Sequence, residues 1–395
     1  KLRFRKTPPC NDRRTHRSVL VWASGRGMGL AKRSLIVFRA LIATSEAAPL
    51  AKTGGLADVC GALPSALRQL GHETTLIMPA YRCALQACLP QSTGVTIDIP
   101  VGSKLVPAEF LTTTLPNTDV PVILVKYDPY FDRDGLYGDG QVDYRDNCER
   151  FVFFSRAVLE AIRALDLNID LIHCNDWQTG LVPAYLQIEY RAARDYERIA
   201  SLFTIHNLAY QGQFWHWDML LTGLDWKYFN WRQLEFFGDL NLLKGGIVFA
   251  DQVSTVSPRY AQEIQHSQHG FGLDGLLLQQ NEKLSGILNG VDYSTWNPAI
   301  DDYLPVKYNV DNWKTGKAAA RTKLQQDLGM AVESGAPLIG VIGRVTEQKG
   351  SDLVVELLER WAPTQAAQWV ILGSGDPQLE ARLVQVAGDF GDELQ

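Results

Sequence analysis

Lysines set beside glycines occur near both ends of this 395-residue chain, in patterns suited to holding phosphate. The first is Lys52-Thr53-Gly54-Gly55, inside a stretch running from Glu46 to Val59. The second runs Gly343-Arg344 to Lys349-Gly350-Ser351-Asp352. Each follows an apolar run and precedes an amphipathic one, so each sets cations and bare backbone amides at a helix N-terminus, where anions are favoured. Glycine lets the backbone come close to a ligand oxygen, although a Gly-Gly turn is also an ordinary structural device. In the second loop two cations sit where the helix dipole disfavours them, which argues for a ligand. Arg344 offers a planar fork and Lys349 a point charge to a diphosphate. Two such loops imply two α/β lobes closing on one phosphorylated ligand.

Two further clusters follow strand-like runs. His173-Cys174-Asn175-Asp176-Trp177 puts a carboxylate beside an indole, a pairing that suits a sugar: hydroxyls bond to the carboxylate and the ring covers an apolar face. Asp176 would serve equally as a helix N-cap. His206-Asn207-Leu208-Ala209-Tyr210-Gln211-Gly212 is similar, and a lone histidine there is more often structural. Asn289-Gly290-Val291-Asp292 reads on its own as a turn. Lys244-Gly245-Gly246 repeats the first theme but leads into an ordinary hydrophobic helix. The carboxylates Asp128, Asp134, Asp139, Asp143 and Asp146 lack the order of an EF-hand loop. Six cysteines and seven histidines form neither a Cys-x-x-Cys pair nor a His-Glu-x-x-His motif, so reduced structural thiols are expected and no metal.

The elements that must position these residues are legible in outline. A buried strand at 34–43 leads into the first loop, and a helix follows with Leu56, Val59, Leu63, Leu67 and Leu70 on one stripe. A second strand at 73–79 completes a β-loop-α-β order, which predicts a parallel sheet with right-handed crossovers. Residues 90–147 are less regular, with a hairpin strand expected at 120–125. Helical periodicity resumes at Phe151, and strands are expected at 169–173, 200–206 and 252–257. Ligands of an open parallel sheet gather beyond the carboxyl ends of its strands, which places His173, Asp176, His206, Asn207 and Ser257 where a site would be. An interdomain connection is expected at 301–336. A second αβ region starts at 337, with a strand, the loop, a helix at 350–361, a strand at 369–372, the turn Gly373-Ser374-Gly375-Asp376 and a helix from Pro377.

Composition sets bounds. With 46% apolar and 21% charged residues the chain is ordinary for a globular protein. No apolar run is long enough to span a membrane as a helix. Residues 1–40 carry 11 Lys/Arg and one acid, a net +10, which leaves −16 on the rest of a chain whose total is −6. An acidic body argues against nucleic acid. The basic stretch 1–33 is Arg-rich and acid-poor, as in a transit peptide, or else a disordered arm.

Taken together, these segments resemble the bacterial glycogen synthase and plant starch synthase family, from about Leu35 to Phe390. The resemblance rests on Ser45 to Val59, His173 to Gln178, Thr204 to Gly212, Asn289 to Asp292 with Trp296-Asn297-Pro298, Gly343-Arg344 with Gln348-Lys349-Gly350, and Leu372 to Asp376. It implies an α/β fold of two Rossmann-like lobes of the GT-B type: an acceptor domain at 34–300 and the start of a nucleotide lobe at 337–395. It implies transfer of glucose from ADP-glucose to the non-reducing end of an α-1,4-glucan with retention, without metal or other cofactor, in a bacterial cytoplasm of the cyanobacterial kind or a plastid stroma. By the same resemblance Arg344 and Lys349 offset charge on the departing ADP. Lys52, Gly54 and Gly55 lie on the phosphate–glucose side with Asn289, and His206 contacts the transferred glucose. Glu46, Asp58, Tyr127, Asp176, Trp177 and Asn207 lie on the sugar and acceptor side. The family continues beyond the equivalent of Gln395, so the second lobe is expected to be incomplete here. The rival to an enzyme is a glucan-binding relative or inactive fragment. Substrate partners are expected; nucleic acid and membrane are not.

Overall fold

A computed structural model describes residues 37–140, 142–332, 335–361 and 367–390. The basic stretch 1–33 lies outside them. The chain divides into two compact units, one ending at Leu288 and the other beginning at Asn289.

The first unit is built on a nine-stranded sheet. Its order is Leu284–Gly286, Gln252–Thr255, Ala200–Ile205, Leu171–Asn175, Arg39–Ala43, Glu73–Pro79, Pro121–Lys126, Lys104–Thr114, Gln91–Val101. The first seven strands pair in parallel, as the β-loop-α-β pattern predicts. The last two are an antiparallel extension, so the sheet is mixed rather than parallel throughout. The run expected as a hairpin strand at 120–125 is the joint: it pairs in parallel on one side and antiparallel on the other.

Strand burial follows composition. Leu41, Ile42, Leu76, Ile77, Val122 and Leu124 are sealed on both faces, as near-continuous apolar runs in a covered parallel sheet should be. Helix Asn147–Ala164 is buried around most of its circumference, including Phe151, Phe153 and Phe154, and fills the layer against the sheet. Helix Gly55–Gln69 differs from the expected stripe. Its buried line runs through Leu56, Ala57, Cys60 and Pro64, and Leu70 is exposed because it is already the C-cap, followed by Gly71 at φ 91°.

The second unit pairs two parallel strands, Leu338–Ile342 and Gln368–Leu372. Helices Ser351–Trp361 and Pro377–Phe390 cover them, around a small core of Leu358, Trp369 and Val386. The division between units falls ahead of residue 300, and the segment expected as a connection at 301–336 carries helix Trp313–Asp327 within the second unit. Among the described residues no helix is long and apolar enough to cross a membrane.

Candidate active site

Strand order decides where the first unit can hold a ligand. From Arg39–Ala43 the chain moves outward to Glu73–Pro79 on one side and returns to Leu171–Asn175 on the other. That reversal is a topological switch point, and the crevice beyond the strand ends there is the favoured ligand position of such sheets. The loop carrying Glu46 and Lys52 leaves one of these two strands, Asp176 leaves the other, and His206 leaves the next strand along, Ala200–Ile205. Three clusters far apart in sequence thus emerge side by side.

The first loop is not the bare amide cradle that its composition predicts. Glu46, 3% exposed, reaches across it: Oε2 accepts from the Thr53 amide at 2.6 Å and the Gly54 amide at 3.2 Å, and Oε1 accepts from Thr53 Oγ1 at 2.7 Å. Tyr137 Oη donates to the same carboxylate at 2.7 Å and lies 2.7 Å from Ser45 Oγ. Lys52 Nζ is paired with Asp58 at 2.7 Å, both side chains about half exposed. An internal carboxylate therefore stands where a phosphate was expected, because a buried anion gathers whatever donors are near. The glycines themselves are unforced. A Cβ on Gly54 or Gly55 would meet nothing within 4 Å, and Gly54 is extended at φ −157°. Neither packing nor backbone conformation asks for glycine here.

Asp176 is held in a costly shape. Its φ of 55° with ψ of −178° is a region used almost only by glycine. It caps the short helical turn Trp177–Thr179 by position, but its side chain does not; instead Oδ1 accepts from the His206 amide at 2.7 Å. Burial raises this carboxyl to about 7, with Glu46 adding to the rise, while the amides of His206 and Asn207 pull the other way. Trp177 is largely buried, stacked edge-on against Phe151 and tilted against Tyr137 and Phe214.

The two histidines part company. His173 is the structural one: Nε2 sits 2.7 Å from Thr204 Oγ1, which in turn contacts Ser254 Oγ, and burial lowers its pKa to about 4. His206 is lowered to about 3 by burial and by His173, so it is neutral. Its Nε2 lies 3.0 Å from Asn175 Oδ1.

Other first-unit candidates are used locally. Tyr127 packs edge-on against Tyr130 and tilted against Phe153. Within the acidic cluster Asp134 pairs with Arg82, Asp146 pairs with Arg133, and Asp128 lies 3.9 Å from Lys126. No group of three potential metal ligands occurs among the described residues. Sequence reasoning passes over Tyr137, and it quotes Thr53 and Asn175 only as members of their motifs, without a role. Tyr137 had no local signal beyond its Gly-x-Tyr-Gly setting, since its partner lies 91 residues away.

In the second unit, Arg344, Lys349 and Ser351 line one concavity with Gly343 and Leu372. Arg344 and Lys349 are exposed. Lys349 closes a short helical turn, Glu347–Lys349, after which Gly350 at φ 73° admits the helix from Ser351. The loop is braced by the turn after the second strand: Val345 donates to Ser374 O at 3.0 Å and accepts from the Asp376 amide at 2.7 Å. Glycine is required in that turn, because a Cβ on Gly373 would lie 1.9 Å from Gly343 O. Asn289, exposed, precedes a turn closed by Asp292 on Ser294.

A family model described as the starch synthase catalytic domain matches residues 39–279. The glycogen synthase of Rhodopirellula baltica is 41% identical over 362 residues, covering 89% of this chain and 71% of the relative. Glycogen synthase 2 of Geobacter sulfurreducens is 44% identical over 339 residues, covering 86% and 69%. Among solved structures, the catalytic domain of Starch Synthase IV from Arabidopsis thaliana, bound to ADP and acarbose, superposes with a TM-score of 0.81 at 31% identity, covering 91% of this chain and 73% of that one. The strand-end clusters, the architecture and these likenesses agree: the chain belongs to the glycogen and starch synthase family of glycosyltransferases.

Proposed function

We propose that this chain transfers glucose from ADP-glucose to the non-reducing end of an α-1,4-glucan with retention of configuration. The observation that carries the reading is the convergence of Lys52, Asp176 and His206 at the switch point of the first sheet. Buried Asp176 and the half-buried His206 ring are hydrogen-bonding groups of the kind that orient a sugar. In the second unit Arg344 and Lys349 supply positive charge for a departing diphosphate, so the reading calls for no metal. Fixed charge aimed at where charge develops is often the largest catalytic contribution.

The support for ADP as the nucleotide is the ligand of the Starch Synthase IV structure; the support for a glucan acceptor is the names of the relatives. The test is incorporation of labelled glucose into glycogen from ADP-glucose, with UDP-glucose in parallel. Lys349→Ala is expected to lower turnover by about 10²–10³-fold while leaving the melting temperature unchanged. A near-normal rate in that variant would remove the leaving-group role.

A further inference from the structure

Asn175 is fully buried at the end of its strand, and its amide orientation is set by its neighbours. Nδ2 lies 3.1 Å from Ala43 O and 3.3 Å from His173 O. Both are carbonyls and only accept, so the NH₂ must face them and Oδ1 must face outward. The atom 3.0 Å from Oδ1 is His206 Nε2. An acceptor on that side requires Nε2 to carry the proton, which leaves Nδ1 with its lone pair. Nδ1 makes no hydrogen bond recorded among the described residues, and it is not one of the polar atoms sealed from solvent without a partner. A half-buried, neutral ring thus presents one acceptor outward.

We propose that Asn175 is a positioning residue that fixes the tautomer of His206, the residue that the family resemblance sets against the transferred glucose, and so leaves Nδ1 as the acceptor for one of its hydroxyls. The proposal rests on the glucosyl-transfer reading for its ligand, but not for its tautomer. A carbonyl or phosphate oxygen has no proton to give Nδ1; a sugar hydroxyl does.

The test has two arms. In this chain labelled with ¹⁵N in its histidine rings, the His206 resonances, assigned with His206→Gln, should report a protonated Nε2 and an unprotonated Nδ1. Asn175→Leu should populate both tautomers. Asn175→Asp, which keeps an acceptor opposite Nε2, should leave Nε2 protonated and provides a second variant if the leucine does not fold. A proton on Nδ1 in the wild type, or a tautomer unmoved in Asn175→Leu, overturns the lock, and so does loss of the Nε2 proton in Asn175→Asp. In the second arm, monodeoxy analogues of ADP-glucose are compared. One of them should lose about tenfold in kcat/KM with the wild type, and the loss should shrink to about twofold in Asn175→Leu. If no analogue shows that coupled loss, the hydroxyl contact is wrong. The spectra need no turnover: a wild type that transfers no glucose fails the functional reading alone, and one that transfers glucose with Nδ1 protonated fails this inference alone.

Discussion

Gly54 is a residue whose reason lies outside the folded chain. With open space where a Cβ would go and an extended backbone, Gly54→Ala should change stability by less than about 1 kcal/mol. Its cost should fall on the ligand, as a several-fold rise in the KM for ADP-glucose; an unchanged KM would mean that nothing approaches the loop there. Asp176 makes the second prediction. Its folded pKa of about 7 lies above the ordinary 3.8, so its contribution to stability is full below about pH 3.8 and is lost as pH rises through 7. His173 and His206 act oppositely: lowered to about 4 and about 3 from 6.5, they contribute above pH 6.5 and lose it as pH falls through those values. Asp176→Asn removes only the opposing slope, so its unfolding free energy should climb more steeply between pH 4 and 7 than that of the wild type. The difference is at most about 1.4 kcal/mol per pH unit, and parallel urea titration curves would contradict the assignment.

At the scale of elements, the loop of the second unit that carries Arg344 and Lys349 depends on its neighbour. Gly373→Ala would press a methyl group into Gly343 O, so it should destabilise that unit by about 1–3 kcal/mol in urea unfolding, whereas Gly350 has no such neighbour closer than 3.8 Å. Periodicity revealed most of the strands, because an apolar run in a parallel sheet is buried on both faces and reads without ambiguity. It also revealed which strand ends carry Asp176 and His206. What it did not reveal is how the charges are spent. Lys52 with Gly54 and Gly55 looks like an anion site in sequence, but the Glu46 carboxylate that answers part of it arrives through a turn that no local pattern encodes. The antiparallel extension is legible only in part: the hairpin strand expected at 120–125 is there, but its partners Lys104–Thr114 and Gln91–Val101 lie in a stretch that reads as irregular. The roles of Tyr137 and Asn175 are not legible in sequence because each acts through a partner brought near only by the fold.

The whole molecule is unequal in its two parts. The first unit buries an extended core around its nine-stranded sheet, whereas the second relies on a few residues such as Val345, Val355, Leu358, Trp369 and Val386. Small cores leave little margin, so amides of 338–342 and 368–372 should exchange hydrogen faster than those of 39–43 and 171–175. Equal protection would show that the second unit is stabilised by more than its own core. One consequence of the Glu46 bridge reaches further. Because Glu46 already occupies the Thr53 and Gly54 amides, any anion that enters is a replacement and must compete with a rival tethered at an effective concentration of roughly millimolar or more. If the loop takes a phosphate of the proposed donor, inorganic phosphate or sulfate, gripping one point, would lose that exchange, whereas a nucleotide sugar with further points of attachment would win it. On that reading the loop would favour a visitor that brings several attachments over the small anions of its surroundings.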